Sequence, residues 1–202
     1  MTVMITGGAG FVGLNIAESL LAVGDDVVLF GLEAPSEAFI DSTASLPGNL
    51  HSVIGDVRDR NALTETMSTH AVRRLVHGAA ITAGPDREAT SGADIVAVNV
   101  TGTINVLEAA LKHGVERVVQ LSSGSVYGPS SDPANSLDEV TNHPVPESVY
   151  GITKYASERL GVRYRQTRGL DVVVARLGVV FGKWEYATGM RDALSVPRTC
   201  CP

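Results

Sequence analysis

Short apolar runs alternate with longer amphipathic stretches along this chain, and that alternation predicts its architecture. Val3–Thr6, Val27–Phe30, Ser52–Ile54, Arg74–His77, Arg117–Leu121 and Asp171–Ala175 are aliphatic or β-branched and read as strands. Between them, Leu14–Val23, Asp59–Ser68 and Ile95–Leu111 repeat apolar residues at helical spacing. The last of these offers Val98, Ile104, Val106, Leu107 and Leu111 for burial. Apolar strands separated by helices predict an α/β fold in which a parallel sheet is covered on both faces.

The first strand runs directly into Gly7-Gly8-Ala9-Gly10-Phe11-Val12-Gly13, and a helix follows. Strand, glycine turn and helix in this order point to a dinucleotide. Gly7, Gly10 and Gly13 allow the bend, the approach of backbone to a pyrophosphate and close helix packing, while the helix start supplies N–H groups and a favourable dipole. At the end of the second strand, where an acid for the adenosine ribose is expected, stands Gly31. Glu33, two residues on, is either that acid or a solvated loop carboxylate. No Arg or Lys follows to meet a 2′-phosphate, so NAD is favoured, with NADP possible.

Further along, Pro144 and Pro146 punctuate a loop before Tyr150-Gly151-Ile152-Thr153-Lys154. Positions four apart on a helix share a face, so the phenol and the ammonium can address one small volume. A phenol titrating near ~10 is a poor proton shuttle at neutral pH, and a neighbouring cation favours its ionised form. Such a pair alone is common. Ser122-Ser123 and the glycine turn raise it to a nicotinamide-dependent redox site.

Composition removes other classes. With 202 residues and 44% hydrophobic content, the chain is expected to build one main domain. A net charge of −6 offers no basic field for nucleic acid. No signal-like segment or apolar run of membrane-spanning length stands out, which predicts a soluble cytoplasmic protein without a membrane partner. Cys200 and Cys201 sit side by side at the end and form no ligand pattern with the five histidines, so no metal is expected.

The ordered set Thr6–Gly13, Gly55-Asp56-Val57-Arg58-Asp59, Val76-His77-Gly78-Ala79-Ala80, Asn99-Val100-Thr101-Gly102-Thr103, Ser122–Gly128, Tyr150–Lys154 and Arg176–Gly182 resembles the extended short-chain dehydrogenase/reductase family, in its NAD-dependent epimerase/dehydratase branch. The resemblance implies a Rossmann-type doubly wound parallel sheet flanked by helices. It implies a NAD(P)-binding domain over residues 1–182. Phe11 and Val12 would lie beside the pyrophosphate, Asp56 would accept from the adenine amino group, and Val57 would pack its ring. Gly78, Ala79 and Ala80 would line the cofactor, and Gly178 belongs to the segment bordering nicotinamide and substrate. Asn99 either hydrogen-bonds near the cofactor or satisfies buried backbone groups; Asp56 has an equal alternative as a turn residue. Ser123 would hydrogen-bond the reacting oxygen, Tyr150 would transfer its proton, and Lys154 would support the phenolate and hold the nicotinamide ribose. Tyr127 is expected to pack or to edge the substrate. The resemblance also implies a homodimer through the helices around Asn99–Leu111 and Tyr150–Arg165.

Val179 stands where sugar-nucleotide enzymes of the family often present an Asn, and the chain ends before the family's carboxy-terminal substrate lobe. Residues 183–202 are therefore expected to form a truncated or atypical segment. The expected activity is that of an NAD(P)-dependent epimerase, dehydratase or dehydrogenase, with hydride transfer at a secondary hydroxyl or keto carbon of a sugar nucleotide or related sugar. The alternative is a truncated, catalytically impaired dinucleotide-binding module.

Overall fold

The computed structural model describes residues 1–129 and 137–185. Its elements run β1 (Thr2–Thr6), α1 (Phe11–Ala22), β2 (Asp26–Gly31), α2 (Glu37–Thr43), β3 (Leu50–Ile54), α3 (Arg60–Thr69), β4 (Arg74–His77), α4 (Pro85–Val96), a π-helical turn (Ala97–Thr101), α5 (Gly102–Lys112), β5 (Arg117–Ser123), a 3₁₀ turn (Gly124–Tyr127), α6 (Val149–Arg168) and β6 (Val172–Leu177). The six strands are ordered β3-β2-β1-β4-β5-β6, and all paired neighbours are parallel. This is the doubly wound arrangement, in which the chain leaves β1 in one direction along the sheet and returns on its other side at β4.

Each face of the sheet buries its own core, because side chains alternate across every strand. On one side Val3, Ile5 and Leu29 meet Leu14, Ala17 and Leu21 of α1 and Phe39 of α2. On the other, Met4, Val28, Leu75 and Val118 meet Leu63 and Met67 of α3 and Val106 and Leu107 of α5. Of the helix positions offered for burial, Val106 and Leu107 are fully enclosed, whereas Val98 and Leu111 pack at the margin.

Two helices escaped the sequence reading. Ser36 caps α2 by accepting the Phe39 N–H at 3.3 Å, and α4 opens with Pro85 and carries Asp86 and Glu88 in its first turn. Helix α4, the π turn and α5 form one run from Pro85 to Lys112 that is long and apolar enough to cross a membrane, a property the sequence reading did not identify. Half of its apolar window is buried within the fold.

Lys183 and Trp184, just beyond the expected limit at residue 182, pack on α1. The indole of Trp184 stands edge-on to Phe39 with ring centroids 5.1 Å apart and donates to Glu18 Oε2 at 2.8 Å. Asn15 Nδ2 holds the Lys183 carbonyl at 2.7 Å. Residues 186–202, with Cys200 and Cys201, lie outside the described residues.

Candidate active site

The carboxyl ends of β1, β4 and β5 lie at the switch point, and the segments singled out in the sequence leave the sheet there. The Gly7 N–H bonds the Phe30 carbonyl at 2.8 Å, tying the first turn to β2. Gly7 has φ +68°, and a Cβ there would stand 2.9 Å from Ala79 N and Cα, so the turn is pressed against the segment after β4. A Cβ on Gly13 would lie 2.6 Å from the Gly8 carbonyl oxygen. Gly10 differs, since a Cβ there meets only the Gly7 oxygen, at 3.1 Å. Packing requires glycine at positions 7 and 13, whereas at Gly10 its main effect is an open backbone at the N-terminus of α1. That surface fits a pyrophosphate. At Gly8 a Cβ would come 2.8 Å from Leu29 Cα, so this residue too seats the turn closely on β2.

Asp56 occupies the turn after β3. Its carboxylate accepts the Arg58 N–H at 2.8 Å, Nε at 2.9 Å and Nη2 at 2.6 Å, and this guanidinium holds the carboxyl below the usual carboxylate range. The turn role is thus realised in the structure. Val57 is buried against Gly102, and its carbonyl accepts from Asn105 Nδ2 at 3.1 Å. Glu33 is exposed beyond β2. A side chain at Gly31 would make only ordinary contact with Gly7, so packing does not impose the glycine found there.

After β4, Gly78, Ala79 and Ala80 are half-buried. The Gly78 N–H bonds the Thr6 carbonyl at 3.0 Å, and that of Ala79 bonds Thr6 Oγ1 at 3.3 Å. Asn99 lies in the π turn, an irregularity often found at functional sites. It is only 2% exposed. Its Oδ1 accepts the Ile81 N–H at 2.8 Å, while Nδ2 donates to the Ile81 carbonyl at 3.1 Å and to Thr153 Oγ1 at 3.0 Å. These bonds satisfy the buried backbone groups of Ile81. Asn99 clamps the loop after β4 onto α6.

Ser123 ends β5 and caps the 3₁₀ turn, with Oγ accepting the Ser125 N–H at 3.1 Å and bonding Ser125 Oγ at 3.1 Å. The start of α6 is pressed on this turn, since a Cβ on Gly151 would lie 2.7 Å from the Ser125 carbonyl. The backbone at the start of α6, next to Tyr150, is therefore seated on the turn that Ser123 caps. Ser148 caps α6 through the Gly151 N–H at 3.0 Å. The Tyr150 N–H goes to Glu88 Oε1 of α4, also at 3.0 Å, a cross-helix cap that sequence spacing does not reveal.

One turn on, Lys154 is buried, and its Nζ donates to the Leu121 carbonyl. Desolvation lowers its pKa to about 8, with Glu158 opposing the shift. Glu158 is itself buried in a bidentate pair with Arg176, at 2.9 and 2.8 Å. Arg176 Nη1 donates to Tyr127 Oη at 2.8 Å and its guanidinium lies over the Tyr127 ring. Tyr127 thus packs within the Glu158–Arg176 network, a network that sequence spacing does not reveal. Gly178 and Val179 follow β6 in exposed positions. Among the described residues, no three His, Cys, Asp or Glu side chains converge as a metal site.

A doubly wound parallel sheet with a glycine turn between β1 and α1 at the switch point is a dinucleotide-binding type of fold. Residues 3–196 match the profile of the NAD dependent epimerase/dehydratase family, and the chain belongs to it. It is 31% identical over 218 residues to a dTDP-glucose 4,6-dehydratase of Actinoplanes sp., covering 98% of this chain and 65% of that one. It is also 31% identical over 206 residues to an L-arabinose 1-dehydrogenase (NAD(P)(+)) of Haloferax volcanii, covering 97% and 74%. The crystal structure of a Thermus thermophilus UDP-glucose 4-epimerase complex with NAD superposes with a TM-score of 0.75 at 31% identity, over 87% of this chain and 54% of that one. The chain thus spans less than two thirds of the dehydratase and epimerase relatives.

Proposed function

We propose that this chain binds NAD across the β1/β4 switch point and supports hydride transfer at a secondary hydroxyl or keto carbon of a sugar nucleotide or related sugar. The observation that carries the reading is the open glycine turn between β1 and α1, pressed against the segment after β4, in a fold that sets Ser123 at the end of β5 and Tyr150 and Lys154 in the first turns of α6. Backbone N–H groups at the start of α1 face the pyrophosphate, Glu33 reaches toward the adenosine ribose, and Asp56 and Val57 border the adenine. Gly78, Ala79, Ala80 and Gly178 leave room along the cofactor. Bound there, NAD supplies the hydride acceptor or donor. Ser123 Oγ positions the reacting substrate oxygen, Tyr150 moves its proton, and the Lys154 ammonium orients the nicotinamide ribose and supports the phenol.

The three relatives perform a dehydration, a 4-epimerisation and a 1-oxidation by their names, so this shared domain alone does not select among these outcomes. Val179 favours a second reading, a dehydrogenase of a free sugar or sugar acid, because a hydrocarbon side chain cannot make an amide contact to a nucleotide sugar. Titration calorimetry of the full chain with NAD and NADP is expected to show NAD binding, weakened on substituting Gly10 by Val. No binding of either at millimolar concentration would sink the proposal, and a strong preference for NADP would remove Glu33 from the ribose. Turnover assays with sugar nucleotides, free sugars and uronates then separate the reactions. A chain that binds NAD and turns over none of these substrates would be the impaired binding module.

A soluble, cytoplasmic homodimer completes the reading. Support for solubility comes from burial of half of the apolar window of the Pro85–Lys112 run inside the fold. Support for association comes from α6, whose outer face carries Ile152, 49% exposed, beside Tyr155, Ala156 and Arg159. Sedimentation is expected to show a dimer at micromolar concentration that Ile152→Arg dissociates. A wild-type monomer over that range would rule the dimer out without touching the cofactor site.

A further inference from the structure

His77 closes β4 and is only 3% exposed, between Thr6 of β1 and Thr103 of α5. Its Nδ1 lies 2.7 Å from Thr6 Oγ1 and its Nε2 2.9 Å from Thr103 Oγ1. Each hydroxyl has one proton, so the surrounding bonds fix the direction of both contacts. Thr103 gives its proton to the Asn99 carbonyl at 2.6 Å and is therefore an acceptor toward His77. Thr6 Oγ1 already accepts the Ala79 N–H, and its own proton is satisfied by donation to Nδ1. The result is a chain with one polarity. Ala79 N–H donates to Thr6, Thr6 O–H to Nδ1, Nε2–H to Thr103, and Thr103 O–H to the Asn99 carbonyl.

We propose that His77 is a positioning residue of the cofactor site, a neutral imidazole protonated at Nε2 that locks the Gly78–Ala80 turn to the Asn99 turn. Asn99 in turn holds Ile81 and Thr153, so the chain joins the cofactor-lining segment to the helix of Tyr150 and Lys154. This rests on the reading of that segment as the wall of an NAD site. A second proton on the ring would leave the Thr6 hydroxyl without its acceptor. It would also place a second cation near Lys154, the charged group on α6 that acts on this imidazole; the partners from β1 and α5 are neutral hydroxyls. Burial and Lys154 both hold His77 in the neutral form, with its pKa lowered to about 3.

Long-range nitrogen–proton correlation spectra of the full chain test the arrangement directly. One imidazole, absent from the spectrum of His77→Phe, is expected as the Nε2–H tautomer and unchanged across the range where ordinary histidines titrate, about pH 5 to 8. An Nδ1–H tautomer, or titration within that range, would overturn the proposal. By calorimetry at a temperature where each variant is folded, His77→Phe and Thr103→Val are expected to bind NAD on the order of tenfold more weakly, the loss that one buried hydrogen bond commands. Thr103→Ser should restore it. Wild-type affinity in Thr103→Val would overturn the positioning role even if His77→Phe does not fold. A merely structural role would lower the melting temperature and leave the affinity of the folded protein alone. If the wild type binds no NAD, the function proposed above fails, whereas a wrong tautomer with NAD bound normally fails this inference alone.

Discussion

Tyr150→Phe is expected to lower hydride transfer by about 10³-fold, within the range that a positioned acid–base group contributes, while NAD affinity stays close to wild type. The substitution removes one hydroxyl and keeps the ring. The fold should be unaffected, because α6 is fixed at this point by backbone contacts. The Tyr150 N–H is held by Glu88, the Gly151 N–H by Ser148, and Gly151 itself is pressed on the Ser125 carbonyl. Ser123→Ala should cost on the order of 10²–10³-fold, the effect of removing a single donor from a charged transition state. Product formation at saturating NAD measures both, read as reduced nicotinamide for a dehydrogenase and as the converted sugar for an epimerase or dehydratase. Equal turnover by wild type and Tyr150→Phe would eliminate the phenol as the proton carrier, and loss of NAD affinity in step with turnover would mean that the ring holds the cofactor instead.

The parts of this site written in local sequence were legible, and the parts made by tertiary register were not. Residues 3–6 and 117–121 announce themselves as strands because they are rich in aliphatic and β-branched side chains. The glycines of residues 7–13 mark the bend because Gly7 requires a positive φ and Gly13 has no room for a side chain. Helix α2 offers only Ala38, Phe39 and Ile40 as an apolar patch, and its one start signal is Ser36. Helix α4 does carry a proline and two acids at its start, yet Thr90-Ser91-Gly92 reads as a loop, and Ser91 indeed breaks the helical backbone with φ −133°. No spacing rule pairs Glu158 with Arg176 or Glu88 with the Tyr150 amide, since each contact depends on how separate elements lie against one another. Asn99 shows the same limit. Its bonds to Ile81 and Thr153 join residues 18 and 54 positions away, which no local pattern announces.

Lys154→Met is expected to act in opposite directions on function and on stability. The folded chain holds this ammonium in the interior with a pKa of about 8, against an ordinary value of 10.5, and burial is the largest cause. Below about pH 8 both folded and unfolded chains carry the proton, and the full cost of the buried charge opposes folding. Between about 8 and 10.5 the unfolded chain holds a proton that the folded chain has released, so the stability of the cofactor-free protein rises with pH. Above that range the contribution is constant. A shift of this size corresponds to roughly 3 kcal/mol. Urea unfolding of wild type and Lys154→Met across this range isolates the effect, because the other titrating groups are common to both proteins. The variant should be the more stable at neutral pH by somewhat less than that amount, since the Leu121 carbonyl loses its lysine donor. The gap should close as pH rises through 10. A difference curve flat with pH would show that Lys154 keeps its ordinary pKa in the folded chain. The same variant should bind NAD more weakly and transfer little hydride. A side chain whose removal stabilises the empty protein and disables the occupied one is retained for chemistry, and Glu158, paired with Arg176 one turn away, is what keeps its cost from being larger.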